Sequence, residues 1–179
     1  LVGSEMCIRD SLKERYKEQM LRKSLELLWD HNILVVCAAG NAGPEDGSIS
    51  EMASSRKVLT VGCHDGRYCK NDPKRCETYS GRGRKYDVIR KPDIVAPGTR
   101  ILSCNAFWKN RNGRIFKPYI AKSGTSMATP IVSGAAALVL QKYPRMSNEE
   151  FLRRVALTAT DLGEPGISRA SECSMSADY

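Results

Sequence analysis

Two short stretches carry residue types that could do chemistry. One is SGTSMATP, residues 123–130, which runs straight into the apolar segment IVSGAAALVLQKY. The other is AAGN, residues 38–41, at the end of an apolar, β-branched run. A serine at the mouth of a helix sits among backbone N–H groups that have no intrahelical partner, at the positive end of the helix dipole. Both features favour negative charge developing nearby, so Ser126 is a candidate nucleophile for acyl transfer. Gly124 lets the backbone turn tightly and leaves room for a substrate carbonyl. Pro130, read as a first-turn residue, gives up an N–H that would be unpaired there anyway. Alone, a serine in this position reads first as an ordinary helix cap. Asn41 follows a buried strand directly, at the end where open α/β sheets place ligands. Its side-chain amide can donate to an oxyanion. Asn-Ala-Gly-Pro is also a good turn sequence, and taken alone the turn is the stronger reading.

The elements that must position these residues follow from periodicity. Residues 12–30 repeat Leu12, Tyr16, Met20, Leu21, Leu25 and Leu28 at three- and four-residue steps, which predicts an amphipathic helix. ILVVCAAG (33–40) is a continuous apolar run ended by Gly, as expected of a strand buried on both faces of a parallel sheet. VLTVG (58–62) predicts a second strand, and PDIVAPG (92–98) with ILS (101–103) a third region bounded by Pro92 and Pro97. FKPYIAKSG (116–124) offers one more short strand leading into the serine loop. The helix after Ser126 runs to about Lys142. Its small residues, Gly134 and Ala135–Ala137, predict close approach by other elements, and its apolar composition predicts burial on most sides. Ser147 to Glu150 form an S-x-x-E capping box that opens a final helix, with Pro144 marking the break before it. Strands alternating with helices make this an α/β domain with a mostly parallel sheet flanked by helices.

AAGNAGP, KPDIVAPG and SGTSMATPIVSGAAALVL occur in that order. Together they resemble the subtilisin-like serine proteases, and the resemblance covers about residues 12–165. It implies a subtilisin-like α/β fold and a serine endopeptidase that forms an acyl-enzyme on Ser126. It implies Asn41 as the side-chain oxyanion donor, with the Ser126 backbone N–H beside it. Ala38, Ala39 and Gly40 resemble the strand lining the pocket for the residue before the scissile bond, and Gly124 and Thr125 the substrate-facing backbone of the serine loop. Residues near 48–54 would form another wall. There the chain reads ISEMASS where the family pattern has Pro-Gly, and SGRGRKYDVIRKPD lacks the Pro that often follows S-x-R-G. The stretch from Cys63 to Glu77 resembles a basic insertion on a standard loop. The implied partner is a peptide or protein substrate. No cofactor is evident; calcium is frequent in the family, although no acid cluster here has ligand spacing.

The family's catalytic order is Asp, His, Ser, with the Asp in D-[ST]-G and the His in H-G-T ahead of AAGN. Neither motif occurs. His31 lies between the first helix and the buried strand, and His64 opens the basic loop; neither has H-G flanks, and neither is assigned as base. The expectation is a C-terminal part of a catalytic domain, with its N-terminal half as a missing partner. A serine hydroxyl without a base is a weak nucleophile. Losing the histidine of a subtilisin triad costs about 2 × 10⁶ in turnover. This polypeptide alone is therefore expected to show no peptidase activity. A peptide-binding pseudoprotease is the alternative, but a binding module has little use for an oxyanion hole. Lipases and esterases carry G-x-S-x-G, whereas here Ala128 stands two residues after Ser126.

Bulk properties narrow the remaining classes. Hydrophobic residues make up 41% and charged residues 27% of 179, as in an ordinary globular domain. No apolar run reaches 18 residues, so no membrane helix is expected. The net charge is +8, and nine Lys/Arg against three acids fall within 66–91. Without aromatic interleaving or a nucleic-acid motif, that run reads as a solvated basic loop rather than a nucleic-acid surface. Seven irregularly spaced cysteines argue against a disulfide framework and for free thiols or a local redox pair, which tilts the expected compartment of a bacterial protein toward the cytoplasm over secretion. His64, Cys69 and Cys76 form H-x4-C-x6-C, too loosely spaced and one ligand short for zinc, so no metal site is expected. LVGSEMCIRDS (1–11) resembles translated sequencing adapter and is set apart from the fold. Residues 166–179 lack apolar periodicity and read as a frameshifted or disordered tail, encodable so that a one-base shift restores Asn-Gln-Gln-Gly-Phe-Gly.

Overall fold

The computed structural model describes residues 12–65, 75–106, 117–161 and 173–174. Three parallel strands form its centre: β1 (Val36–Ala38), β2 (Leu59–Cys63) and β3 (Ile94–Ala96). The register sets Val36 against Leu59 and Val61 against Ile94. Every residue of β2 and β3 is buried, as unbroken apolar runs in a covered parallel sheet require. Helix α1 (Leu12–Asp30) precedes β1. Beyond β3 come β4 (Ile101–Cys104), β5 (Tyr119–Lys122), helix α2 (Thr125–Lys142), helix α3 (Asn148–Thr158), β6 (Thr160–Asp161) and β7 (Cys173–Ser174). The main sheet runs β1-β2-β3-β7-β6, with β7 parallel to β3 and β6 antiparallel to β7. Within 166–179, then, the pair 173–174 extends the sheet; the other residues of that stretch, like 1–11, lie outside the described residues.

The segment 92–103 does not act as one region. β3 belongs to the main sheet, while β4 turns away after Pro97-Gly98 and pairs antiparallel with β5 in a separate two-stranded ribbon. Burial explains the split: β3 is fully covered, whereas Leu102 and all of β5 are exposed. The Lys91-Pro92-Asp93 lead-in is structural. Lys91 Nζ donates to Asp93 Oδ2 at 2.5 Å and to the Val58 carbonyl at 2.8 Å, and Asp93 Oδ2 accepts from Thr60 N–H at 2.7 Å. Burial lowers the Lys91 pKa and raises that of Asp93, while their mutual attraction opposes both shifts. This pair ties the start of β3 to β2, at the end of the sheet opposite the serine.

The core joins Val36, Leu59, Val61, Ile94 and Ala96 from the sheet to Ala128, Val132 and Ala136 of α2, with Met146, Phe151 and Val155 behind. α2 is buried along one face only, through Thr125, Ala128, Thr129, Val132 and Ala136. This corrects the expectation of burial on most sides. Ile131 and Leu138 are exposed, and nothing lies within 4 Å of a Cβ built on Gly134. The α1 stripe is also only partly used. Met20 and Leu21 are exposed, and the helix is anchored at its C-terminal end by buried Trp29, whose carbonyl accepts from Asn148 Nδ2. Of the basic run, 66–74 lies outside the described residues. Part of the rest packs on the acidic turn at 45–47: Lys85 N–H donates to Asp46 Oδ1, and Arg84 covers Gly47.

Half of the capping box forms. Ser147 Oγ accepts from Glu150 N–H at 3.2 Å. The Glu150 carboxylate does not reach back; it takes Arg154 at 2.7 Å and Arg153 at 2.8 Å, and these two partners lower its pKa. Ser147→Ala should therefore cost about 1 kcal/mol, the usual worth of an N-cap, read as a small drop in the urea midpoint with an unchanged slope. A loss below the precision of the measurement would mean that this cap does nothing for stability.

Candidate active site

Three strand ends and one helix start meet at a single edge of the sheet. β1 ends into Gly40 and Asn41, β2 into His64 and Asp65, and β3 into Pro97-Gly98-Thr99. α2 begins at Thr125 with Gly124 as N-cap, so Ser126 is the second helical residue. This is the carboxyl edge of a parallel sheet, where such folds bind ligands.

Gly124 has no side chain to cap its helix, and Asn41 supplies the cap from 84 residues away. Its Oδ1 accepts from Thr125 N–H at 3.0 Å and from Thr125 Oγ1 at 3.1 Å. With the oxygen committed to two donors, Nδ2 is the part of the amide left able to donate. A Cβ built on Gly124 would lie 3.6 Å from Asn41 Nδ2, 3.7 Å from Asn41 Oδ1 and 3.8 Å from Ser126 N. The Asn41 side-chain amide and the Ser126 N–H therefore lie beside the same point, the one a side chain on Gly124 would occupy. The Gly124 φ of +149° also favours glycine. Preorganised donors of this kind are what a developing oxyanion needs.

Most of the residues read from the sequence gather at this edge. Ser126 is half-buried at the helix mouth. Thr125 is fully buried and turned toward Asn41, so its hydroxyl orients the amide rather than facing a substrate. Ala38 and Ala39 are buried, and the loop after the 45–47 turn lies against them: Ser50 N–H donates to the Ala39 carbonyl at 2.9 Å and Ser50 Oγ to the Ala38 carbonyl at 3.3 Å. The Gly40 carbonyl accepts from Gly81 N–H at 2.8 Å. Near 48–54, without a Pro-Gly, Ser50 and the 3-10 turn Met52–Ser54 follow one another beside β1. Pro130 is not a first-turn residue. Because α2 starts at Thr125, Pro130 sits inside it and cannot donate to the Ser126 carbonyl.

The histidines sit apart from these donors in role. His31 Nδ1 lies 2.8 Å from the Leu27 carbonyl at the end of α1. His64 is buried, with Nε2 3.7 Å from Glu77 Oε1.

The cysteines include one local pair, among the alternatives that the sequence left open. Cys63 and Cys76 form a disulfide, with Cα atoms 5.5 Å apart. β2 and the turn Cys76–Thr78 meet below the site, so proximity comes from the fold and not from spacing. Cys76 is thus no member of an H-x4-C-x6-C metal set, and Cys69 lies outside the described residues. Cys37 and Cys104 are free. Burial pushes the Cys37 thiol pKa up, with Lys91 opposing it. Among the described residues, Cys63, Asp65 and Cys76 are the grouping compact enough to hold a cation. Two of those three ligands are consumed by the disulfide, and one carboxylate does not fit a calcium ion, which takes six to eight oxygens.

Sequence reasoning missed Asp65. It is buried at the end of β2. Oδ1 accepts from Gly98 N–H at 3.0 Å and Thr99 N–H at 2.8 Å; Oδ2 accepts from Thr99 Oγ1 and from Cys76 N–H at 3.3 Å. Burial raises its pKa, but these donors outweigh burial and hold it below the usual carboxylate value. An acid directly after a buried strand, at the ligand-binding edge, was the available signal.

Comparison with known proteins agrees with this architecture. Residues 8–171 match the family described as the subtilase family, a span reaching past 12–165 at both ends. The serine protease AprX of Bacillus subtilis (strain 168) is 37% identical over 148 residues, covering 79% of this chain and 34% of that protein. Subtilisin DY of Bacillus licheniformis is 33% identical, covering 80% of this chain and 46% of that protein. Among solved structures, the prenylagaramide maturation protease PagA superposes with a TM-score of 0.63 at 29% identity, over 87% of this chain and 52% of that one. Sphericase gives 0.62 at 28%, over 79% and 44%. The chain thus spans between a third and a half of the length of these curated relatives. With a match over most of its length and the same parallel-sheet architecture, the chain belongs to the subtilase family.

Proposed function

We propose that this chain carries the acylating half of a serine endopeptidase site, in which Ser126 attacks a peptide carbonyl and the oxyanion forms between Asn41 Nδ2 and the Ser126 N–H. The observation that carries the reading is the placement of those two donors around the space over Gly124. Ala38, Ala39 and Gly40 hold the backbone that leads to Asn41, and Ser50 and Gly81 fix them by hydrogen bonds donated to their carbonyls. Attack requires a base that takes the Ser126 proton and later delivers it to the leaving amine. We assign neither His31 nor His64 to that role. The base and its orienting carboxylate belong to an upstream segment of the domain. The disulfide weighs toward an oxidising compartment, against the reducing one suggested by the cysteine count.

The test is reconstitution. Alone, the chain should neither hydrolyse peptides nor label at Ser126 with a fluorophosphonate. Mixed or fused with the upstream part of the AprX catalytic domain, it should gain both. Labelling of Ser126 in the isolated chain would refute the division of the site. A folded, assembled complex that still fails to label would refute the nucleophile.

A further inference from the structure

We infer that the Cys63–Cys76 disulfide and the Asp65 carboxylate are positioning groups for the oxyanion hole, pinning the Gly98 turn that holds Gly124, so that the geometry at Ser126 responds to the thiol redox state of the protein. The inference rests on the reading of Ser126 and Asn41 given above.

The contacts run in one line. Gly98 fills a slot between the disulfide and the start of α2. A Cβ on Gly98 would overlap Cys63 Sγ, lie 2.8 Å from the Gly124 carbonyl oxygen and 3.5 Å from Ala128 Cβ. Its own amide and that of Thr99 both donate to Asp65 Oδ1. Its carbonyl accepts from Gly124 N–H at 3.0 Å. Gly98 is therefore held by Asp65 on one side and itself holds Gly124 on the other. Gly124 is the residue beside which the Asn41 side-chain amide and Ser126 N both lie. Cys63, Cys76 and Asp65 are all buried, so a change at any of them is relayed by packing and not absorbed by solvent.

Reduction acts on both supports of Gly98 together. A dithiol attacks one cysteine sulfur as its thiolate and releases the other cysteine as a thiolate, which takes up a proton. The second thiol of the reagent then displaces the mixed disulfide. Two electrons and two protons pass to Cys63 and Cys76, and the reagent leaves as a cyclic disulfide. Unbonded, the two sulfurs part to contact distance, and Cys63 Sγ already fills the side of the Gly98 slot. Cys76 Sγ also lies 3.0 Å from Asp65 Oδ2. In the disulfide that sulfur has no proton to give. As a thiol it becomes a donor, competing with the Thr99 hydroxyl for the same oxygen.

Amide resonances of the ¹⁵N-labelled chain, with and without dithiothreitol, test this without any need for catalysis. Reduction should shift Gly98, Thr99, Gly124, Thr125 and Ser126 together and leave α3 in place. The double variant C63S/C76S should show the reduced pattern without reagent, which covers the case of a disulfide too buried to reduce. Asp65→Ala should move the same amides. Asp65→Asn keeps one acceptor oxygen for Gly98 and Thr99 and should largely restore them, whereas Asp65→Leu, which fills the site without an acceptor, should not; restoration by leucine would mean a packing role only. Shifts confined to 63–65 and 76–78, with Gly124 to Ser126 unmoved, would overturn the inference. So would loss of the α3 signals along with them, which would make the bond a general staple. Failure of reconstitution leaves this readout intact, so the two readings fail separately.

Discussion

In the reconstituted domain, Ser126→Ala is expected to lower turnover by about 10⁶-fold, the scale found when a subtilisin triad loses its nucleophile. The size follows from roles. Acylation needs an oxygen at the helix mouth, and alanine offers none, so only direct attack by water remains. That residue of rate, about 10³–10⁴ over the uncatalysed reaction, comes from binding and the oxyanion donors. The substitution should leave the fold intact. Ser126 is half-buried, the helix cap is supplied by Asn41 and not by this serine, and alanine is the better helix former. Equal thermal midpoints with activity reduced to background are therefore the expected pair of results. Activity within tenfold of the parent would mean that another residue is acylated.

The residues whose roles are local were legible in the sequence; those defined by tertiary contact were not. AAGN after a buried run and GTSM before an apolar helix each place a functional group within a few residues of an element end, and periodicity finds element ends. What sequence could not show is that Asn41 caps α2 at Thr125, because 84 residues separate them. Asp65 was invisible for the same reason: its meaning lies in Gly98 and Thr99, more than thirty residues on. The cysteine arithmetic left the pairing open because an odd count says nothing about which pair meets, and β2 brings Cys63 to Cys76 from 13 residues away. The α2 error has a different origin. Apolar composition reports the helix's surroundings in a whole domain, while this chain spans only part of its relatives' length, and the face carrying Ile131 and Leu138 is exposed. Pro130 was misplaced by a shift in the helix start, since a capping group supplied by a distant residue leaves no local mark.

Asn41→Ala should reduce kcat by about 10²–10³, the cost measured in subtilisin for losing the side-chain oxyanion donor, with little change in KM. The split is what separates the proposed role from simple damage. An oxyanion exists only near the transition state, so removing a donor to it lowers kcat and kcat/KM together. Asn41 also caps α2 through Oδ1, and losing that acceptor should cost stability on the usual scale of an N-cap, about 1 kcal/mol. Asn41→Asp takes the two roles apart. The carboxylate keeps an acceptor for Thr125 N–H at a helix N-terminus, so stability should hold or rise. It has no N–H to give, and it places a negative charge beside the space where the oxyanion forms, so kcat should fall at least as far as in the alanine variant. If Asn41→Asp were stable and active, Asn41 would be only a cap, and the Ser126 N–H would lack the partner that makes the space over Gly124 an oxyanion hole.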